Sequence, residues 1–336
     1  MPRLHTPEIV TEGVREHRAV QAWLQFQSES WEPGSLEVLQ RGTHSAVYRL
    51  NGVRRSGEAV IAKRCRATTA RVERMIYQEL LPLTGIPALG CYGVLPEPDG
   101  ELWWLFLEDA TGAAYLPQRP DHRALAGRWL AETQLAMMSA DHMSLLPDRA
   151  LHHYLRLLYG CRAMLRRHRG GGALSVDDAA MLHKFEAHFD LLESQWGEIE
   201  EICSVMPRTL VHDDLVIKNL CIRDTIAGPA LLVFDWEFAG WGVPAVDLAQ
   251  FMDRVASPDL GVYWSIVHNE YSHLDLRDVQ AVAVCGNILR LLDQISWATT
   301  GLEFAPVAQL AKAIGKLRVY ELAMIEALSA LRRSWT

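Results

Sequence analysis

The chain is poor in the features that would tie it to a membrane, a cysteine-bound metal or a polyanion. No apolar run approaches the roughly 20 residues that a bilayer-spanning helix needs, and MPRLHTPEIV lacks the basic-then-apolar pattern of a secretory signal. A cytoplasmic workplace is the expectation. Six cysteines (Cys65, Cys91, Cys161, Cys203, Cys221, Cys285) are scattered with no Cys-x-x-Cys pair, which excludes the usual zinc spacings and suits reduced thiols. The 13 histidines include no His-Glu-x-x-His. Positive charge is in deficit, 33 Lys and Arg against 41 Asp and Glu for a net charge of -8, which argues against nucleic-acid and anionic-membrane partners. Internal repeats and low-complexity tracts are absent. What is present is an apolar content of 49% in 336 residues, enough for one large domain or two lobes with a sizeable core.

The hydrophobic period changes along the chain. Residues 13–30 (GVREHRAVQAWLQFQSES) predict an amphipathic helix that WEPGS at 31–35 ends. From 36 to 109 the pattern is strand-like: LEVLQ, AVYRL and EAVIAKRC, one helical stretch ARVERMIYQELL, then GCYGVLP and ELWWLFLED split by EPDG. That reads as a small, mainly antiparallel sheet with one helix. From about 120 onward helical periodicity dominates, in RALAGRWLAETQLAMMS, RALHHYLRLLYGCRAMLRRH, VDDAAMLHKFEAHFDLLESQWGEIEEI, DVQAVAVCGNILRLLDQISWA and APVAQLAKAIGKLRVYELAMIEALSALRR. The Gly170-Gly171-Gly172 run ends a helix; with no strand ahead of it, it is not a phosphate loop. One piece interrupts the helices: NLCIRD and PALLVFDWE, two short strands around TIAG.

Directly ahead of that piece stands VHDDLVIKNL, residues 211 to 220. Asn219 opens the first strand and Asp235 closes the second, so a fold-back brings residues 16 apart in sequence to one end of the ribbon. An amide oxygen and a carboxylate then meet. Mg²⁺ takes hard oxygens, usually one or two protein groups with phosphate oxygens and water, and this pair meets that description. Asp214, in the loop ahead of Asn219, is placed to accept or orient a hydroxyl proton.

The pattern His212-Asp213-Asp214-Leu215-Val216-Ile217-Lys218-Asn219, then Phe234-Asp235-Trp236-Glu237, then GVPAVDLAQF with Asp247, resembles that of the aminoglycoside phosphotransferase and choline kinase family, relatives of the protein kinases. The resemblance implies Asp214 as catalytic base, Asn219 and Asp235 as Mg²⁺ ligands, His212 as a scaffold of the catalytic loop and Asp247 as its brace. Protein kinases carry His-Arg-Asp and Asp-Phe-Gly at these places, and Asp-Trp-Glu here favours the small-molecule branch. The upstream order agrees. Leu39 to Tyr48 read as strand, glycine turn and strand, so Gly42, Thr43, His44 and Ser45 would cover the phosphates, with a single glycine where protein kinases have three. Val60-Ile61-Ala62-Lys63 resembles the strand whose lysine meets the α and β phosphates. Glu73, or Glu79 as the alternative, would hold that lysine. Trp104 to Asp109, including Glu108, stand where the family has its nucleotide hinge.

The implied fold class is α+β: a protein-kinase-like two-lobe fold, with a small antiparallel-sheet N-terminal lobe (1–109, with its leading helix) and a mainly helical C-terminal lobe (110–336). The implied chemistry is transfer of the γ-phosphate of ATP or GTP, with Mg²⁺, to a hydroxyl of a small acceptor, in a monomer or homodimer. An aminoglycoside-type antibiotic, choline or ethanolamine, a sugar and an amino alcohol all stand as acceptors. Asp213, Glu237 and Asp253 suit amino groups, and Trp103, Trp104, Trp236 and Trp241 divide between packing and a quaternary-ammonium box. Asp213 and Lys218 depart from the family pattern. The structural alternatives are a snorkelling Lys63 and a Glu73 on a solvated face. The competing functional class is a nucleotide-binding pseudokinase, though no lysine, base or metal ligand is missing; a protein kinase is disfavoured further by the lack of Ala-Pro-Glu after Asp235.

Overall fold

Alternation shapes the strands. In β2 (Ser35–Arg41) Leu36 and Val38 turn inward while Glu37 and Leu39 do not. With β1 (Glu8–Val10), β3 (Ala46–Asn51), β4 (Val60–Arg66), β5 (Cys91–Pro96) and β6 (Leu102–Glu108) it forms a six-stranded antiparallel sheet in the order β1-β2-β3-β4-β6-β5. The three-residue β1 is too short to leave a periodic signal and was not expected. The computed structural model describes residues 8–27, 32–42, 45–53, 57–137, 145–169, 174–252, 254–303 and 307–334.

The leading helix is shorter than the pattern predicts. α1 (Arg18–Phe26) starts at His17, whose ring Nδ1 accepts from the Ala19 N–H at 3.2 Å. Its buried face, Ala19, Val20, Ala22 and Trp23, packs on Leu36, Leu50, Val60, Trp104 and Phe106 of the sheet, with the Trp23 and Phe106 rings 5.2 Å apart edge to face. Each large side chain buried there contributes roughly 1.5–3 kcal/mol. Gly93 of β5 has φ +145 and a Cβ there would lie 2.8 Å from the Phe26 ring, so this crossing needs glycine. After β4 comes α2 (Ala67–Met75), then a π-helical turn (Ile76–Leu80) and α3 (Leu81–Thr84), which ends on left-handed Gly85.

A second sheet, β11-β10-β7, joins β7 (Ala113–Ala114) to the predicted hairpin, β10 (Leu220–Thr225) and β11 (Gly228–Val233). Because β7 captures that hairpin, the structure draws the division of the chain differently from a cut at 109/110. One unit is Met1–Tyr115 with Lys218–Glu237; the other is Leu116–Ile217 with Phe238–Thr336.

The second unit is mainly helical: α4 (Pro120–Met137), α5 (Leu151–Arg169), α6 (Val176–Ser194), α7 (Trp196–Ser204), α8 (Leu260–Val267), α9 (Leu276–Glu303) and α10 (Val307–Ser334). The long helix expected over 176–202 breaks at Gln195. The Gly170 to Gly172 run lies outside the described residues. Tyr154 and Leu158 of α5, Phe185 and Phe189 of α6, Tyr263 of α8, and Leu289 and Leu292 of α9 are buried. A three-stranded sheet, β8-β12-β9, links β8 (Asp148–Arg149), β12 (Gly240–Gly242) and β9 (Thr209–Val211). α9 docks on the turn Pro244–Leu248, where a Cβ on Gly286 would lie 1.9 Å from the Ala245 carbonyl oxygen. Among the described residues no helix is long and apolar enough to cross a membrane.

Candidate active site

In the first unit, β4 carries Lys63 with its side chain buried. Its ammonium donates to Glu73 Oε1 at 2.6 Å and to Asp235, and lies 3.7 Å from Glu237. Glu73 is thus the partner; Glu79 instead pairs weakly with Arg74 at 3.8 Å on the exposed side. Burial opposes the Lys63 charge, but Glu73, then Asp235 and Glu237, outweigh it and hold the ammonium well above its ordinary pKa. Glu73 is fully buried, and burial pushes its carboxyl up to about 7 against the pull of Lys63.

The hairpin behaves as its sequence predicts. Leu220 faces Val233 across the ladder and the Phe234 N–H donates to the Asn219 carbonyl at 3.1 Å, so Asn219 and Asp235 share one end. Asp235 sits at φ +68, a left-handed conformation that aspartate tolerates better than most residues. Its N–H donates to the Tyr77 hydroxyl at 3.3 Å. Tyr77 stands four residues after Glu73, so one helix face supplies both the carboxylate for Lys63 and the hydroxyl for Asp235. The π turn begins between them, a device common at functional sites. Sequence reading missed Tyr77, although its spacing from Glu73 was the available signal.

Lys63, Glu73, Lys218, Asn219 and Asp235 line one cavity of about 290 Å³ together with apolar Leu39, Val47, Ile61, Leu107 and Phe234. Apolar walls with a charged lining suit a planar base attached to phosphates. Glu108 and Asp109 also line it. The Glu108 carboxylate accepts from the Gly90 N–H at 2.9 Å and pairs with Arg223 at 2.7 Å. Gly42 ends β2 tightly, since a Cβ there would lie 3.0 Å from the Ser45 carbonyl oxygen. Thr43 and His44 lie outside the described residues.

Asn219 and Asp235 offer one amide oxygen and one carboxylate to the same cavity. That donor set fits Mg²⁺, which keeps phosphate oxygens and waters for the rest of its octahedron. No cluster of three or more His, Cys, Asp or Glu side chains is arranged for a metal among the described residues.

In the second unit the segment expected to form the catalytic loop follows β9. Asp247 accepts the His212 N–H at 2.7 Å and the Asp213 N–H at 3.0 Å, and the Asp214 N–H donates to His212 Nδ1 at 3.3 Å. His212 and Asp247 therefore hold backbone. The far side of the loop is tied by the Ile217 N–H to the Arg254 carbonyl at 2.8 Å and the Ala256 N–H to the Leu215 carbonyl at 3.0 Å. Asp213 has φ +62, a left-handed conformation that aspartate adopts more readily than most residues. Its carboxylate receives the Tyr154 hydroxyl at 2.6 Å and pairs with Arg149 at 3.1 Å. Even so, burial and then Asp293 outweigh Arg149 and Tyr154 and push Asp213 up to about 8. Asp214 itself is gripped by Arg290 of α9, a residue that sequence reading missed. An arginine set in the apolar helical stretch NILRLLDQI was the signal.

Of the four tryptophans singled out, Trp104 and Trp236 are core residues, Trp103 packs under the Arg71 guanidinium at 4.8 Å, and Trp241 lies 6.0 Å from that of Arg208.

The fold is that of the protein-kinase-like small-molecule phosphotransferases. Residues 35–280 match the APH family, the phosphotransferase enzyme family, and the chain belongs to it. No curated protein sequence matches. Among solved structures, the GDP and kanamycin complex of APH(2")-IIIa is similar at 14% identity over 90% of this chain and 97% of that one, with a TM-score of 0.62. An ethanolamine kinase of Plasmodium vivax is similar at 15% identity over 85% and 82%, TM-score 0.54. The choline kinase of Cryptosporidium parvum follows at 11% identity over 89% and 90%, TM-score 0.56. At these identities the likeness is one of fold.

Proposed function

We propose that the protein is a small-molecule kinase that transfers the γ-phosphate of ATP or GTP to a hydroxyl of a small acceptor. The observation that carries this reading is Lys63, buried and held by both Glu73 and Asp235, in a cavity that Asn219 also lines. Four residues from three stretches of chain meet there, which supports a site for the phosphates of a nucleotide. In this reading Lys63 meets the α and β phosphates, and Gly42 and Ser45 belong to the loop that covers them. The segment at Glu108 faces the base. Asn219 and Asp235 would hold Mg²⁺, which when bound supplies charge neutralisation to the phosphates. Asp214 aligns the acceptor hydroxyl. The reaction asks mainly for position and charge, since a loose phosphoryl transition state needs little covalent help.

Structural neighbours that take kanamycin, ethanolamine or choline support a hydroxylated, cationic acceptor, and an aminoglycoside-type antibiotic is the first to test. Choline, ethanolamine, sugars and amino alcohols follow. The six free cysteines suit a cytoplasmic workplace. The test is a screen of hydroxylated antibiotics and metabolites with labelled ATP and GTP, read beside calorimetry of Mg²⁺-nucleotide binding. Asp214→Asn should abolish transfer and keep nucleotide binding, whereas Asp235→Ala should weaken binding itself. A folded Asp214→Asn protein that transfers phosphate normally would sink the mechanism, and wild-type binding without any turnover would favour the pseudokinase.

A further inference from the structure

The catalytic-loop carboxylate does not stand alone in its unit. Arg290, in the middle of α9 and almost wholly buried, sends one guanidinium nitrogen to Asp214 Oδ1 and another to the Asp213 carbonyl at 2.8 Å. The nitrogen that meets the Asp213 carbonyl also lies 3.4 Å from Asp293, one turn along the same helix. The two loop contacts fall on consecutive residues, one on a side chain and one on the backbone. A planar fork with fixed donors makes such a grip; an ammonium on a flexible stem does not.

The helix is itself seated for this. Gly286, one turn before Arg290, lets α9 approach the Ala245 carbonyl more closely than any Cβ would allow. Asn287 then accepts the Gln250 N–H at 2.7 Å. The stretch 245–250 so fixed includes Asp247, which holds the His212 and Asp213 amides. One face of the loop is thus set by Asp247 through backbone amides, and the Asp214 side chain by Arg290. Stability alone is a poor account of an ion pair this deep, because desolvation offsets most of its attraction.

We infer that Arg290 is a positioning residue for phosphoryl transfer: it fixes the Asp214 carboxylate in the orientation that aligns the acceptor hydroxyl. The inference rests on the kinase reading above. A loose transition state makes modest demands on base strength and strict ones on position. Arg290 supplies position, and its positive charge offsets Asp214, Asp293 and Asp213 in a region rich in carboxylates.

The acceptor being unidentified, water serves as acceptor and the probe is Mg²⁺-ATP or Mg²⁺-GTP, whichever the wild-type protein hydrolyses, with phosphate release measured. Arg290→Lys keeps the charge and loses the fork; Arg290→Ala with added ethylguanidinium restores the group without the tether. The expected result is a kcat lower by about 100-fold in Arg290→Lys, with KM and calorimetric Kd for the nucleotide within about twofold. Partial recovery of Arg290→Ala by ethylguanidinium is expected as well. Should Arg290→Ala fail to fold, Arg290→Lys carries the test. Turnover by Arg290→Lys within twofold of wild type, while Asp214→Asn is inactive, overturns this inference and leaves the kinase reading standing. So does a loss that appears equally in nucleotide affinity. A wild-type protein that neither binds nor hydrolyses either nucleotide overturns both.

Discussion

Lys63 and Glu73 permit a thermodynamic test that needs no acceptor. Their relative exposures are 4% and 0%, so each is shielded from water in the intact pair. In Lys63→Met the apolar stem is retained, but Glu73 keeps its carboxylate in a site where burial has already raised it to about 7. Removing one member of such a pair costs about 3–5 kcal/mol. The reverse variant, Glu73→Leu, is milder because Lys63 keeps Asp235 and has Glu237 at 3.7 Å; a loss of about 1–2 kcal/mol is expected. In the double variant no buried charge lacks a partner. Asp235 and Glu237, each with a quarter of its side chain exposed, can turn to solvent. Its destabilisation should therefore be no more than about 2 kcal/mol, well below the sum of the singles, which makes the coupling energy about 2–5 kcal/mol. Urea unfolding followed by tryptophan fluorescence gives all four corners of the cycle, and calorimetry checks that each variant lacking Lys63 has lost Mg²⁺-nucleotide affinity. A Lys63→Met loss below 1 kcal/mol, or a double variant as unstable as the sum, would refute the claim that the pair is buried and coupled.

Two further outcomes are expected. The folded-state pKa of Asp213, about 8, lies above its ordinary 3.8, so its contribution to stability is complete below pH ~4 and is lost as pH rises through 8. Asp213→Asn removes that titration, and its stability relative to wild type should rise steadily from pH 5 to 8, by on the order of 1.4 kcal/mol per unit at the steepest; equal slopes for the two proteins would contradict the assignment. The second concerns glycines in helices. Gly286→Ala drives a Cβ to within 1.9 Å of the Ala245 oxygen and should destabilise by about 3 kcal/mol or more, whereas Gly315→Ala in α10, with nothing within 4 Å, should stabilise by up to about 1 kcal/mol. Thermal unfolding of the two side by side decides it.

Much of the site was legible because its residues sit at short, fixed spacings inside elements with clear periods. The resemblance of Val60-Ile61-Ala62-Lys63 to the family's lysine strand marks Lys63, the helix after it carries Glu73, and a hairpin with a short turn makes Asn219 and Asp235 neighbours whatever the rest of the chain does. Less legible were Tyr77, Tyr154 and Arg290, whose partners lie 158, 59 and 76 residues away in sequence. No local period encodes such distances. The short strands β1, β7, β8, β9 and β12 were invisible for a related reason: two or three residues are too few to show alternation, and pairing across the fold creates them.

The sequence by itself determined the order of elements, the family pattern around Asp214 and the pair of oxygen donors at the hairpin, because each depends on residues close in the chain. Tertiary structure decided between Glu73 and Glu79, moved the hairpin into the unit of Lys63 through β7, and turned the paired aspartates to different work. Asp213 points into a buried cluster with Arg149 and Tyr154, while Asp214 is gripped by Arg290. Those outcomes rest on packing and desolvation between distant segments, and only the folded chain brings those segments together.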